Sequence, residues 1–76
     1  MNLFQLRAFD AVAREGSFTR AAGHIKAPEE HYQITLLRRT ARRVELTDEG
    51  IKLAAITRAM LGMAEEGQAM LEARGE

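Results

Sequence analysis

Gly16-Ser17-Phe18-Thr19-Arg20-Ala21-Ala22 places a helix stop directly before a helix start. Glycine takes the left-handed conformation that closes a helix at little cost. Serine in the next position is a favoured N-cap. The chain therefore turns sharply between two helices here, and the rest of the sequence is read outward from that corner.

Upstream, Asn2 caps a helix beginning at Leu3. Leu3, Leu6, Phe9 and Val12 recur every three residues, with Ala8 and Ala13 beside them, which marks an apolar face. Downstream, the second helix turns Phe18, Ala21, Ala22 and Ile25 inward. Pro28 ends or breaks it, because proline lacks an N–H and biases Ala27 away from helical geometry. Pro28 also suits the first position of a new short helix, with Glu29 and Glu30 near its positive end.

Beyond that helix, Ile34 to Arg39 is rich in apolar and β-branched residues, and Arg43-Val44-Glu45-Leu46 alternates polar with apolar. Thr40-Ala41-Arg42 between them is a turn candidate. Together they form a β-hairpin signal with arginines at the tip, although the turn has no glycine. Thr47, followed by Asp48 and Glu49, caps a helix expected to reach about Ala73. In it Leu53, Ile56, Met60, Met63, Gly67 and Met70 are spaced 3-4-3-4-3, a heptad seam that calls for a partner helix. The expected division is a head over residues 1–46 and a linker or dimerisation helix over 47–76. The predicted fold is mainly α, a winged helix-turn-helix-like head with a short β-wing.

The chain has 76 residues, no cysteine, one proline and 46% apolar residues. It is one domain with a small core and no disulfide framework. It lacks an apolar run of the roughly 20 residues that span a bilayer, and Arg7 and Asp10 interrupt any signal-peptide layout. A soluble, cytoplasmic protein with no membrane partner is expected. The formal net charge is zero, but it is unevenly spread. Arg20 to Arg43 contains six basic residues against two acidic, and Ala59 to Glu76 contains one basic residue against four acidic. A basic middle with an acidic tail leaves a nucleic-acid partner open.

Three blocks carry a resemblance to a family: Asn2-Leu3-Phe4-Gln5-Leu6-Arg7-Ala8-Phe9, Gly16 to Ala22, and Arg39-Thr40-Ala41-Arg42-Arg43-Val44-Glu45-Leu46-Thr47-Asp48-Glu49-Gly50. In order and spacing they resemble the amino-terminal domain of LysR-type transcriptional regulators. The resemblance implies a winged helix-turn-helix with a linker helix that pairs with another subunit, and binding to double-stranded DNA as dimers or tetramers. It also implies an effector-binding domain, before which this chain stops, so no small-molecule effector site is expected. One departure is large. Between Ala22 and Glu29 about eleven residues of the family pattern are missing, including the turn and the first half of the recognition helix. Pro28 stands where the family has a buried apolar residue. The N-terminal part of such a helix is what reaches base edges, so weak binding with little sequence discrimination is expected.

The candidate DNA contacts are Ser17, Thr19 and Arg20 at a helix N-terminus, and Arg38, Arg39, Thr40, Arg42 and Arg43 on the wing. Helix N-termini and arginines both suit phosphate; the bland alternative is a capping Ser17 and wing arginines paired with Glu45 or Glu29. Leu53, Ile56, Met60, Met63 and Met70 are the candidate dimer seam, pairing with a copy or with a related regulator. That pairing without DNA reading is the alternative function, and a degenerate fragment is a third. His24 and His31 with Glu29 and Glu30 fit no structural zinc spacing. Tyr32 is expected at the core edge, and the methionines in the seam rather than around a cofactor. No catalytic motif is present, so neither an enzyme nor a cofactor is expected.

Overall fold

The computed structural model describes residues 1–16 and 20–74, with Arg20 in its backbone only. The element order is α1 (Leu3–Glu15), α2 (Arg20–Gly23), α3 (Lys26–Tyr32), β1 (Leu37–Arg39), β2 (Val44–Leu46) and α4 (Asp48–Arg74). This is the mainly helical head with a two-stranded wing and long last helix that the sequence predicts.

Asn2 closes a capping box: its side chain accepts from the Gln5 N–H at 2.8 Å, and Gln5 Oε1 accepts from the Asn2 N–H at 3.0 Å. Gly16 ends α1 at φ 64°, ψ 23° and donates to the Val12 carbonyl, the stop expected of it. Leu6, Phe9 and Val12 are buried, as predicted, but Leu3 is exposed. A strict spacing of three falls behind a helix of 3.6 residues per turn, so by the fourth member the stripe has rotated to the opposite side.

The Ser17 cap and Phe18 lie outside the described residues. Ala22 and Ile25 are buried, but Ile25 stands between α2 and α3 rather than inside the second helix. Pro28 neither ends α2 nor opens α3. It occupies the third position of α3 and is buried, while Ala27 stays helical. The first helical N–H groups have no intrahelical partner, so proline is tolerated there. Tyr32 is mostly exposed rather than at the core edge, and its hydroxyl accepts from the Met1 ammonium at 3.3 Å.

β1 and β2 are antiparallel, with Leu37 opposite Leu46, Arg38 opposite Glu45 and Arg39 opposite Val44. One core joins Phe9 and Val12 of α1, Ala22, Ile25, Leu36, Leu37 and Val44, with Leu53 and Ala54 of α4 packed against it. Thr47 caps α4: its hydroxyl accepts from the Gly50 N–H at 3.1 Å and donates to the Thr35 carbonyl at 2.6 Å. Burial along α4 continues past the expected boundary at Leu46, through Gly50, Thr57 and Leu61. Asp10 fastens α1 to it, accepting from Arg58 and Arg14 at 3.1 Å each. Residues 62–74 then stand largely exposed, extending the long axis to 49 Å. Among the described residues no helix is long and apolar enough to cross a membrane.

Candidate nucleic-acid interface

The wing tip is built by Thr40. Its N–H and its hydroxyl both donate to the Arg43 carbonyl at 2.9 Å, and the hydroxyl accepts from the N–H groups of Arg43 at 3.1 Å and Arg42 at 3.4 Å. A threonine side chain thus closes the turn that no glycine is available to make. Thr40, a candidate DNA contact, is engaged in shaping the tip.

The four wing arginines separate into different roles. Strand alternation puts Leu37 and Arg39 on one face and Arg38 on the other. Arg39 accordingly turns inward. Its guanidinium meets Glu29 at 3.1 Å and donates to the Ala22 carbonyl at 3.1 Å, with a quarter of the side chain exposed. Glu29 is itself nearly covered. Its other carboxylate oxygen accepts from the Leu36 and Leu37 N–H groups at 2.7 and 3.0 Å. Glu29 therefore staples α3 to β1, and Arg39 ties β1 to α2. The alternative reading, wing arginines paired with Glu45 or Glu29, is what Arg39 shows here; what sequence reading missed is that Glu29 also accepts from the Leu36 and Leu37 N–H groups.

Arg38 and Arg43 both lean on Glu45, at 3.6 and 2.7 Å, with about two-thirds of each side chain exposed. Exposed pairs of this kind are weak and screened by salt, so both arginines can turn to a phosphate. Arg42 is exposed at the tip, and among the described residues no carboxylate pairs with it.

The wing is pinned to the head at both ends of the corner. The Gly16 carbonyl accepts from the Val44 N–H at 3.2 Å, and the Ala22 carbonyl accepts from Arg39. The two carbonyls that bracket the segment 17–20 are thus both held by the hairpin. Ser17 and Thr19 lie outside the described residues, and Arg20 is described in its backbone only.

Only His24 and Ile25 separate α2 from α3. The second helix of the pair has seven residues, with Lys26 and Glu30 exposed. The two histidines do not converge: His24 stacks edge-on against Phe4 at 4.9 Å, and His31 against Tyr32 at 4.7 Å. Along α4 the seam residues Ile56, Met60, Met63 and Met70 are exposed, whereas Leu53 is half-buried on the core.

The family model for bacterial regulatory helix-turn-helix proteins of the lysR family matches residues 3–51. The chain is similar to a "Probable hydrogen peroxide-inducible genes activator" of Streptomyces viridosporus, 41% identical over 83 residues, covering 95% of this chain and 26% of that protein. It is also similar to a "Probable cat1 operon transcriptional activator" of Acinetobacter lwoffii, 40% identical over 80 residues, covering 91% of this chain and 26% of that protein. The chain thus spans about a quarter of the length of these curated relatives. Among solved structures, the BenM DNA-binding domain with catB site 1 DNA matches at a TM-score of 0.86 and 31% identity, covering 100% of this chain and 98% of that one. In both curated comparisons the aligned stretch is about eleven positions longer than the part of this chain inside it, 83 against about 72 in the first. The difference equals in length the stretch expected from the family pattern to be missing between Ala22 and Glu29.

Proposed function

This chain belongs to the lysR family of bacterial regulatory helix-turn-helix proteins, and on that premise we propose that it binds double-stranded DNA through the phosphate backbone, with little discrimination between sequences. The observation that carries this reading is the joining of the basic wing to the corner between α1 and α2 through Gly16 and Ala22. It supports Arg38, Arg42 and Arg43 as phosphate contacts, and the family resemblance adds Ser17, Thr19 and Arg20 to them. Arginine in such a wing suits phosphates and a narrow minor groove. Base readout is the part in short supply. A recognition helix reads bases from its N-terminal turns, and α3 has seven residues.

The role is binding in transcription regulation rather than catalysis, acting in the cytoplasm, with α4 supplying the pairing of subunits. Arg39 and Thr40 act in it indirectly, by holding the wing's position and shape. Each arginine that neutralises a phosphate contributes about −0.9 to the slope of log affinity against log salt. Three of them give a slope of roughly −3 per subunit. The test is fluorescence anisotropy of the chain on two duplexes of unrelated sequence across a salt series. Similar affinities with that slope support the reading. Retention of neither duplex at ~20 mM salt, or a slope near zero, overturns it.

A further inference from the structure

The head carries α4 through few directional contacts. At the base, Thr47 bonds the strand entry, donating to the carbonyls of Thr35 and Leu36. Beyond it, Leu53 and Ala54 pack on the core, and Thr57 and Leu61 are buried. Apolar packing is non-directional, so by itself it lets a helix tilt or roll. Thr57 sits in that seat with no hydrogen-bond partner among the described residues. Among those residues one hydrogen-bonded link joins α1 to α4. Arg58 Nη1 donates to Asp10 Oδ2 at 3.1 Å. Arg14 Nε donates to the same oxygen at 3.1 Å, from one turn further along α1. The other arm of the Arg58 guanidinium, Nη2, donates to Glu65 Oε1 at 3.1 Å, two turns up α4. The Asp10 side chain is only 9% exposed. A rigid planar fork with one arm in the head and the other on its own helix is fixed in orientation.

We infer that Asp10 is the positioning residue of this joint: through Arg58 it fixes the angle at which α4 leaves the head, and with it where each wing stands when two heads meet one duplex. The inference rests on the family reading, which supplies the duplex and the second head. Thr47 and Arg58 lie about 16 Å apart along a helix rising about 1.5 Å per residue. One anchor makes a pivot; two anchors that far apart set a direction. The lever is long. From Thr47 to Arg74 the axis runs about 40 Å, so a tilt of about 10° moves the far end by about 7 Å. That is about a fifth of the roughly 34 Å between half-sites one helical turn apart. The shortened part of the head takes no part in the joint, because both ends of the link lie outside it, in α1 and α4. The angle is kept accordingly: the chain superposes on solved DNA-binding domains over its whole length, α4 included, at TM-scores of 0.81 and 0.86. A buried ion pair is weak evidence for stability, since desolvation offsets its attraction. What this one contributes is direction, because a charge-assisted hydrogen bond is made only within a narrow geometry.

The chain has no cysteine, so spin labels at Ala41→Cys on the wing tip and Gln68→Cys on α4, both exposed positions, report the joint directly. Double electron–electron resonance reads the distance between them, with labelled chain diluted in unlabelled chain so that only distances within one subunit are seen. A narrow distribution is expected. Asp10→Asn or Arg58→Met should broaden it roughly twofold, because a helix left with its base and its apolar seat tilts about that base. Each should also lower affinity for a duplex long enough for two heads about tenfold, as a second wing out of place forfeits its share of the binding. The two changes alter net charge in opposite directions, so a loss in both is not an effect of charge. Arg58→Lys, which reaches Asp10 without spanning to Glu65, should fall between. Arg14→Ala, which cuts a contact within α1, should leave the distribution unchanged. If Asp10→Asn does not fold, Arg58→Met, on a half-exposed side chain, decides alone. A distribution already broad in the unaltered chain, unchanged by Arg58→Met, or broadened as much by Arg14→Ala overturns the inference; so does full duplex affinity in variants whose distribution has broadened. A narrow distribution that these variants broaden, in a chain that binds no duplex, sinks the DNA-binding reading and leaves Asp10 as the residue that sets the joint.

Discussion

Gly50 in the first turn of α4 lies so close to the Leu36 carbonyl oxygen that a Cβ at this position would fall inside that oxygen's contact shell. The contact lets α4 start directly against the strand entry, while Thr47 bonds Thr35 and Leu36 from the preceding residue positions. The obstacle to a larger side chain is backbone, which cannot swing away like the end of a long side chain. Gly50→Ala is therefore expected to destabilise the chain by about 2–3 kcal/mol, the range of a forced overpacking. Gly62 is the internal comparison, because nothing lies within 4 Å of a Cβ there. Gly62→Ala is expected to stabilise by up to about 1 kcal/mol through helix propensity alone. Thermal unfolding of the two variants should move in opposite directions; a stable Gly50→Ala protein would contradict the close approach.

Features whose causes are local were legible in the sequence. Asn2 and Gly16 bound α1 because capping involves residues within four positions of one another. The wing was legible from its alternation, whereas the 3-4 spacing along α4 ran together Leu53, which packs on the head, with Ile56, Met60, Met63 and Met70, which are exposed. What escaped the sequence depends on side chains meeting across the fold. Glu29 and Glu30 are adjacent and chemically alike, yet only Glu29 reaches β1, seven and eight residues away. Arg38, Arg39, Arg42 and Arg43 read as one basic cluster, but strand parity turns Arg39 inward. Pro28 reads as a breaker, yet it is buried in the first turn of α3, where the N–H that proline lacks has no intrahelical partner to lose.

Glu29 is the single carboxylate that joins α3, β1 and Arg39. Removing it strands the N–H groups of Leu36 and Leu37 and leaves Arg39, three-quarters buried, beside no counter-charge. Glu29→Ala is expected to cost about 3 kcal/mol, given about 1–3 kcal/mol for each buried group left unsatisfied and a compact geometry that cannot admit water freely. Glu29→Gln retains an oxygen for the strand N–H groups and loses only the ion pair, so its cost should be about half as large. Urea unfolding of both variants checks the order; equal losses would mean that the ion pair, not the strand cap, dominates.

Arg39 and Arg42 differ by three positions and should fail differently in DNA binding. Arg42 is exposed at the tip with no carboxylate partner among the described residues, and Arg39 faces Glu29 and Ala22. Arg42→Ala should leave stability within about 0.5 kcal/mol and make the salt slope shallower by about one. Arg39→Ala should lower stability first. Measured on the fraction still folded, its salt slope should match that of the unaltered chain. A shallower slope for Arg39→Ala at full folding would show that this arginine also leaves its internal partners for phosphate.

Thr57 is fully buried between α4 and the head, and its hydroxyl is the buried side-chain polar atom left without a hydrogen-bond partner among the described residues. A hydroxyl taken out of water without compensation costs about 1–3 kcal/mol. Valine has the same branched shape without the oxygen's demand. Thr57→Val is expected to raise stability by about 1 kcal/mol, roughly 4–8 °C in Tm for a chain of this size. Thr57→Ser keeps the orphan hydroxyl and deletes a methyl group, so it should lower Tm instead. The pair separates the polar cost from the packing. If Thr57→Val unfolded below the unaltered chain, the hydroxyl would have to bond a neighbouring helical carbonyl in solution.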